Sequence, residues 1–212
     1  TTKSNFIPIG GVNKVTSGTN TFYSNNNNKA YCFQGVFDGK GYTIHNLRVK
    51  RETSCATGNE NKVNTCAMFG RIFNATIQNL SIVDGTFTGY SNVSAFVGSI
   101  DHNYSSDNTK STNYISSCVA IDNNLTAYQN CAGFVGYGEN DKTHNYCKIF
   151  NCYSTSNITA TSSQTDYSTF APFANTKNNP NAFSIYGFSL WRHDWINITS
   201  ICQDINNPYY IT

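Results

Sequence analysis

Twelve carboxylates in 212 residues are the first candidates for chemistry. Hydrolysing a glycosidic bond takes two of them about 5–9.5 Å apart. Here most stand singly in polar stretches: Glu52, Glu60, Asp101, Asp107, Glu139, Asp141 and Asp166. Asp38 falls in Asp38-Gly39-Lys40-Gly41, where an aspartate side chain caps a bend. Asp84 and Asp122 recur at comparable points of successive segments and could approach one another, although a solvated pair at a loop edge explains them better. The densest polar-aromatic cluster is Trp191-Arg192-His193-Asp194-Trp195. It could grip a sugar by stacking and hydrogen bonds, but a C-terminal cap or an interface patch is the favoured reading. No Ser-His-Asp set, metal-ligand spacing or phosphate loop stands out, so neither an enzyme nor a cofactor is expected.

Eight cysteines, an even number, fit an oxidised chain outside the cell, with buried free thiols as the alternative. Seven Asn-X-Ser/Thr sites begin at Asn74, Asn79, Asn92, Asn103, Asn124, Asn157 and Asn197. They permit glycosylation of a secreted protein without demonstrating it. Charged residues make up 12% and the net charge is +2, with no basic cluster of the kind nucleic acid or an anionic membrane attracts. No apolar run approaches the roughly 18 residues of a membrane span. The chain begins at Thr1 rather than Met, as a processed chain or an excerpt would.

What positions these groups is a repeat. Phe33 to Val49, FQGVFDGKGYTIHNLRV, returns in degraded form at Ala67 to Ile82, at Ala95 to Ile100 with Tyr114 to Ala120, and at Gly133 to Tyr137 with Cys147 to Tyr153. A worn fifth copy is Thr169 to Ala174 with Phe183 to Leu190. The anchors at 33, 68, 96, 134 and 170 give a period of 28 to 38 residues. A unit of that length buries its apolar face only by stacking on its neighbours. Apolar spacing of two, with Gly, Asn and Thr on the flanks, excludes helices. Aligning the copies puts Asn46, Asn79, Ser117, Asn151 and Gly187 in one bend slot, followed by Leu47, Leu80, Cys118, Cys152 and Phe188 in a core slot. A second strand signal recurs at Phe87 to Tyr90, Leu125 to Tyr128 and Ile158 to Thr161.

The expected fold is therefore all-β: a right-handed parallel β-helix of about five coils with an aromatic C-terminal tail. Residues 1–32 form an N-terminal cap, 33–190 the repeats and 191–212 the cap or tail. Ile44, Leu47, Phe69, Ile77, Leu80, Ile82, Phe96, Ile115, Phe134 and Ile149 should point inward, and loops leave at 50–65, 101–113 and 138–146. In-register stacking brings Cys118 and Cys152 to about 5 Å between Cα atoms, so they should be bonded or touching. Cys55 with Cys66 should close the first loop and Cys131 is paired with Cys147, leaving Cys32 and Cys202 unassigned. Glycans are expected at loop sites such as Asn92 and Asn103, with Asn74, Asn124, Asn157 and Asn197 as further candidates. None is expected at Asn79, whose amide should bond between coils to Asn46 and Ser117.

The segment Ile7-Pro8-Ile9-Gly10, the block from Phe33 to Leu47 and the later pairs Met68 to Leu80 and Gly133 to Cys152 resemble the GLUG-type repeat family. The likeness spans roughly Ile7 to Leu190 and implies a secreted or surface-bound microbial scaffold, often adhesin-like, with no catalytic residues to carry over. The function expected is a non-enzymatic, extracellular structural or adhesive module on the cell surface, self-assembling end to end into a filament. Its partners would be copies of itself, other surface proteins or glycans, with Trp191, Trp195, Tyr209 and Tyr210 as interface candidates. The alternative is a carbohydrate-binding or carbohydrate-active β-helix protein.

Overall fold

The computed structural model describes residues 5–17, 20–25, 31–51, 65–100, 111–139, 145–161, 170–171, 174–177, 183–189 and 192–193. An antiparallel hairpin, β1 (Val12–Ser17) with β2 (Asn20–Asn25), comes first. Every later strand pairing is parallel. A first pass holds β3 (Phe33–Asp38), β4 (Thr43–His45) and β5 (Arg48–Lys50). The second holds β6 (Phe69–Gln78), β7 (Ser81–Val83) and β8 (Thr86–Val93). The third holds β9 (Val97–Ile100), β10 (Ser111–Ser116), β11 (Val119–Ile121) and β12 (Asn124–Ala132). The fourth holds β13 (Val135–Glu139), β14 (Asn145–Ser154), β15 (Asn157–Ala160) and β16 (Phe170–Ala171). The last holds β17 (Ala174–Lys177), β18 (Phe183–Ser189) and β19 (Arg192–His193). Among the described residues there is no α-helix.

Each pass lays its strands on those of the pass before. One ladder runs Phe37, Ile77, Ile115, Ile149, Ile185. A second runs Ile44, Ile82, Ala120, Ser154, and a third Val49, Phe87, Leu125, Ile158. Period-2 alternation sends the members of these ladders as far as Ile149, Ser154 and Ile158 inward, where stacking in register makes a continuous, mainly apolar column. Phe96 and Phe134 stack face to face in it, centroids 4.7 Å apart. Eight of the ten residues expected inside are buried. Ile44 and Leu47 are half-buried against the same core, because their pass is the first and covers only one side of them.

Corners between the short strands are made by single left-handed residues. Asn79, Ser117 and Asn151 have φ of 54°, 51° and 52°, and Asn46, Asp84 and Asp122 have 56°, 56° and 51°. Asn and Asp tolerate this region best among residues with a Cβ. Asn46 belongs to the second of these corners, which corrects the expected alignment. Thr43–His45 pairs with Ser81–Val83, so Ile44 lies beside Ile82 and Phe37 takes the place beside Ile77. The turn Asp38-Gly39-Lys40-Gly41 is longer than the single-residue corners above it and absorbs the offset. The anchors shift likewise: Phe33 faces Ile72, Ile9 bridges to Phe69, and Phe170 faces Cys131. Gly187 lies opposite Cys152 across an irregularity, rather than opposite Asn151.

The glycine that follows the anchor has a steric cause. A Cβ on Gly70 would sit 2.3 Å from the Gly10 carbonyl oxygen, and one on Gly136 2.6 Å from the Asn92 carbonyl carbon. Neighbouring backbone passes too close there for any side chain.

Candidate functional site

The first pass is where the parallel sheets end. The strand order terminates at β4, and β3 has one strand neighbour, β6. Among the described residues no second strand lies beside β3, and none lies beyond β4. The adjoining β5 is covered: Phe6 N–H donates to the Arg48 carbonyl at 2.8 Å, and Asn5 exchanges hydrogen bonds of 2.9 and 2.7 Å with the Lys50 backbone. The N-terminal stretch thus caps β5, and among the described residues it pairs with neither β3 nor β4.

Two large apolar side chains of the first pass are exposed, Val36 at 70% and Tyr42 at 75%. The turn between them is seated firmly. The Asp38 carboxylate pairs with the Lys40 ammonium at 2.8 Å and accepts from the Lys40 N–H at 2.9 Å and the Asn79 Nδ2 at 3.0 Å. These contacts, the Lys40 side chain first, hold Asp38 well below the usual carboxylate range. Gly39 packs on the second pass with no room for a Cβ, which would lie 2.5 Å from the Asn79 carbonyl oxygen. A strand edge with no neighbouring strand is where another strand can add. Sequence patterning missed Val36 and Tyr42; for Val36 the available signal was an apolar residue out of phase with the inward Phe37, and for Tyr42 there was none.

Cys118 and Cys152 occupy one slot of adjacent rungs, since Val119 pairs with Tyr153. Both are buried thiols, unbonded to each other. Each makes the same contacts one rung apart. Cys118 Sγ lies 3.2 Å from the Ser116 carbonyl and 3.8 Å from that of Ile77; Cys152 Sγ lies 3.2 Å from Phe150 and 3.7 Å from Ile115. The neighbouring Cys152 side chain lowers the Cys118 thiol, while burial raises that of Cys152. The other cysteine expectations need correction. Cys131 faces Val93 and Phe170, whereas Cys147 faces Asn113 and Phe183 in a different ladder, so this pair is apart. Cys66 is a free thiol directed at the Val49 carbonyl, pushed up to about 12 by burial. Its expected partner Cys55, and Cys202, lie outside the described residues.

Asparagines also depart from expectation. Asn92 is buried, and its Oδ1 accepts from Ser91 Oγ at 2.8 Å and Asn130 Nδ2 at 3.0 Å, which leaves no room for the expected glycan. Asn79 bonds between rungs as anticipated, but to Asp38. Ser117 shares its corner and Asn46 does not. Asn74 and Asn124 are exposed, and Asn157 Nδ2 donates to Asn124 Oδ1 at 3.4 Å. Asn113 and Asn123, wholly buried, were not anticipated as core residues. Asp84 and Asp122 do meet at one corner of adjacent rungs, exposed and serving the bend, with Asp122 accepting from Thr155 Oγ1 at 3.2 Å. The backbone of Arg192–His193 pairs with Asn157–Ile158. Asn103, Trp191, Asp194, Trp195, Asn197, Tyr209 and Tyr210 lie outside the described residues. Among the described residues no group of His, Cys, Asp and Glu forms a metal-binding cluster. No helix there is long and apolar enough to cross a membrane. No family model, curated protein or solved structure matches the chain.

Proposed function

We propose that the chain is a non-enzymatic, extracellular structural or adhesive module of GLUG type whose copies join end to end. The observation that carries this reading is that β3 and β4 lie last in their sheet among the described residues, in a pass that exposes Val36 and Tyr42. A strand from a second copy would extend both ladders by one rung and cover those side chains. Such a contact is heterologous, and unless its rotation closes it propagates a filament. The proposed architecture is a right-handed parallel β-helix of about five coils. Five members of the Phe37–Ile185 ladder support the coil number. The hand rests on the rule that about 98% of crossovers between parallel strands of one sheet are right-handed. The extracellular address rests on the resemblance to the GLUG-type repeat family.

Sedimentation velocity over a wide concentration range tests the assembly. The native chain should grow with concentration, and Val36→Lys with Tyr42→Lys should hold it as a monomer. A second protein lacking Asn207–Thr212 separates the terminal segment from the first pass as the contact. A native chain that stays monomeric throughout, or a double variant that assembles equally well, would end the reading.

A further inference from the structure

We propose that Cys118 and Cys152 are a redox pair that closes into a disulfide between consecutive rungs, stapling the third pass to the fourth. The inference does not depend on end-to-end assembly. Their strands are locked in register on both sides, Ser116 with Phe150 and Val119 with Tyr153. The ladder therefore sets the two Cα atoms about 4.8 Å apart, inside the 4.4–6.8 Å that a disulfide spans. Equivalent contacts to Ser116 and Phe150 point both sulfurs the same way, so turning one about its Cα–Cβ bond brings it to the other.

Both sulfurs are buried beside a corner whose residues Ser117 and Asn151 are exposed, so the oxidant reaches them when that corner opens. A peroxide is the oxidant of suitable size. Cys118 takes a hydroxyl from hydrogen peroxide to become a sulfenic acid, releasing one water as the O–O bond breaks. Cys152 sulfur then attacks that sulfur, forming the S–S bond and expelling the second water. Two electrons pass from the thiols to the peroxide and no other reactant is needed. Cys147 is the competitor, a thiol buried in the same interior.

The test is peptide mapping of the folded chain after hydrogen peroxide, with free thiols blocked before digestion. A peptide linking Cys118 to Cys152 is expected, with a rise in Tm of roughly 10 °C that dithiothreitol reverses. Cys118→Ala and Cys152→Ala should each abolish the linked peptide and the rise. A Cys147–Cys152 link, separate sulfinic acids at the two positions, or both thiols surviving peroxide would overturn the proposal.

Discussion

Replacing Asn123 by alanine should cost far more than a surface asparagine would. Asn123 is wholly buried, its Oδ1 accepting from the Gly85 N–H at 2.8 Å and its Nδ2 donating to the Ile82 carbonyl at 3.0 Å. Both partners belong to the rung below, so one amide bridges two passes. Asn123→Ala strands the Gly85 N–H away from water, which costs about 1–3 kcal/mol, and removes a second bond worth about 1. The total is about 2–4 kcal/mol, a fall in Tm of roughly 5–15 °C for a chain of this size. The left-handed residue of that corner is Asp122, so relief of backbone strain does not enter. Urea unfolding followed by circular dichroism measures the loss, with Asn124→Ala as the exposed neighbour, expected within about 0.5 kcal/mol of the native chain. Equal midpoints for the two variants would refute the bridging role of the buried amide.

Gly136→Ala should destabilise by about 1–3 kcal/mol, because the added Cβ would meet the Asn92–Val93 backbone and something must shift; a Tm unchanged within 1 °C would contradict the close approach. Asp38 has a lowered folded pKa, so its contribution is fully present above the unfolded value of about 3.9 and is lost as pH falls toward the folded value. Asp38→Asn should therefore trail the native chain in Tm at pH 7 and converge with it toward pH 2, and a pH-independent gap would sink the argument.

Stacking was legible because inward positions repeat with period two at every level. Ile77, Ile115 and Ile149 align as the motif implied, and so do Phe87, Leu125 and Ile158. The first copy misled because each corner repeats one local pattern. Ile77 to Leu80 and Ile82 to Gly85 both run from an inward residue to a left-handed Asn or Asp. A four-residue motif at Ile44 to Leu47 fits either slot, and only the pairing of β4 with β7 decides. Buried asparagines were illegible for another reason. Asn92, Asn113 and Asn123 satisfy buried groups at the corners and between rungs, so polarity marks the inside there as readily as it marks a loop. Pairing Cys131 with Cys147 failed because both lie on inward faces but in different ladders.

Hydrogen exchange at dilute and at concentrated protein probes the edge at β3 and β4 most directly. If copies add through the first pass, amides of Phe33–Asp38 and Thr43–His45 should exchange more slowly as concentration rises, while the interior strand β10 stays unchanged. Exchange of β3 and β4 at the same rate at every concentration would contradict the claim that this edge receives another copy of the chain.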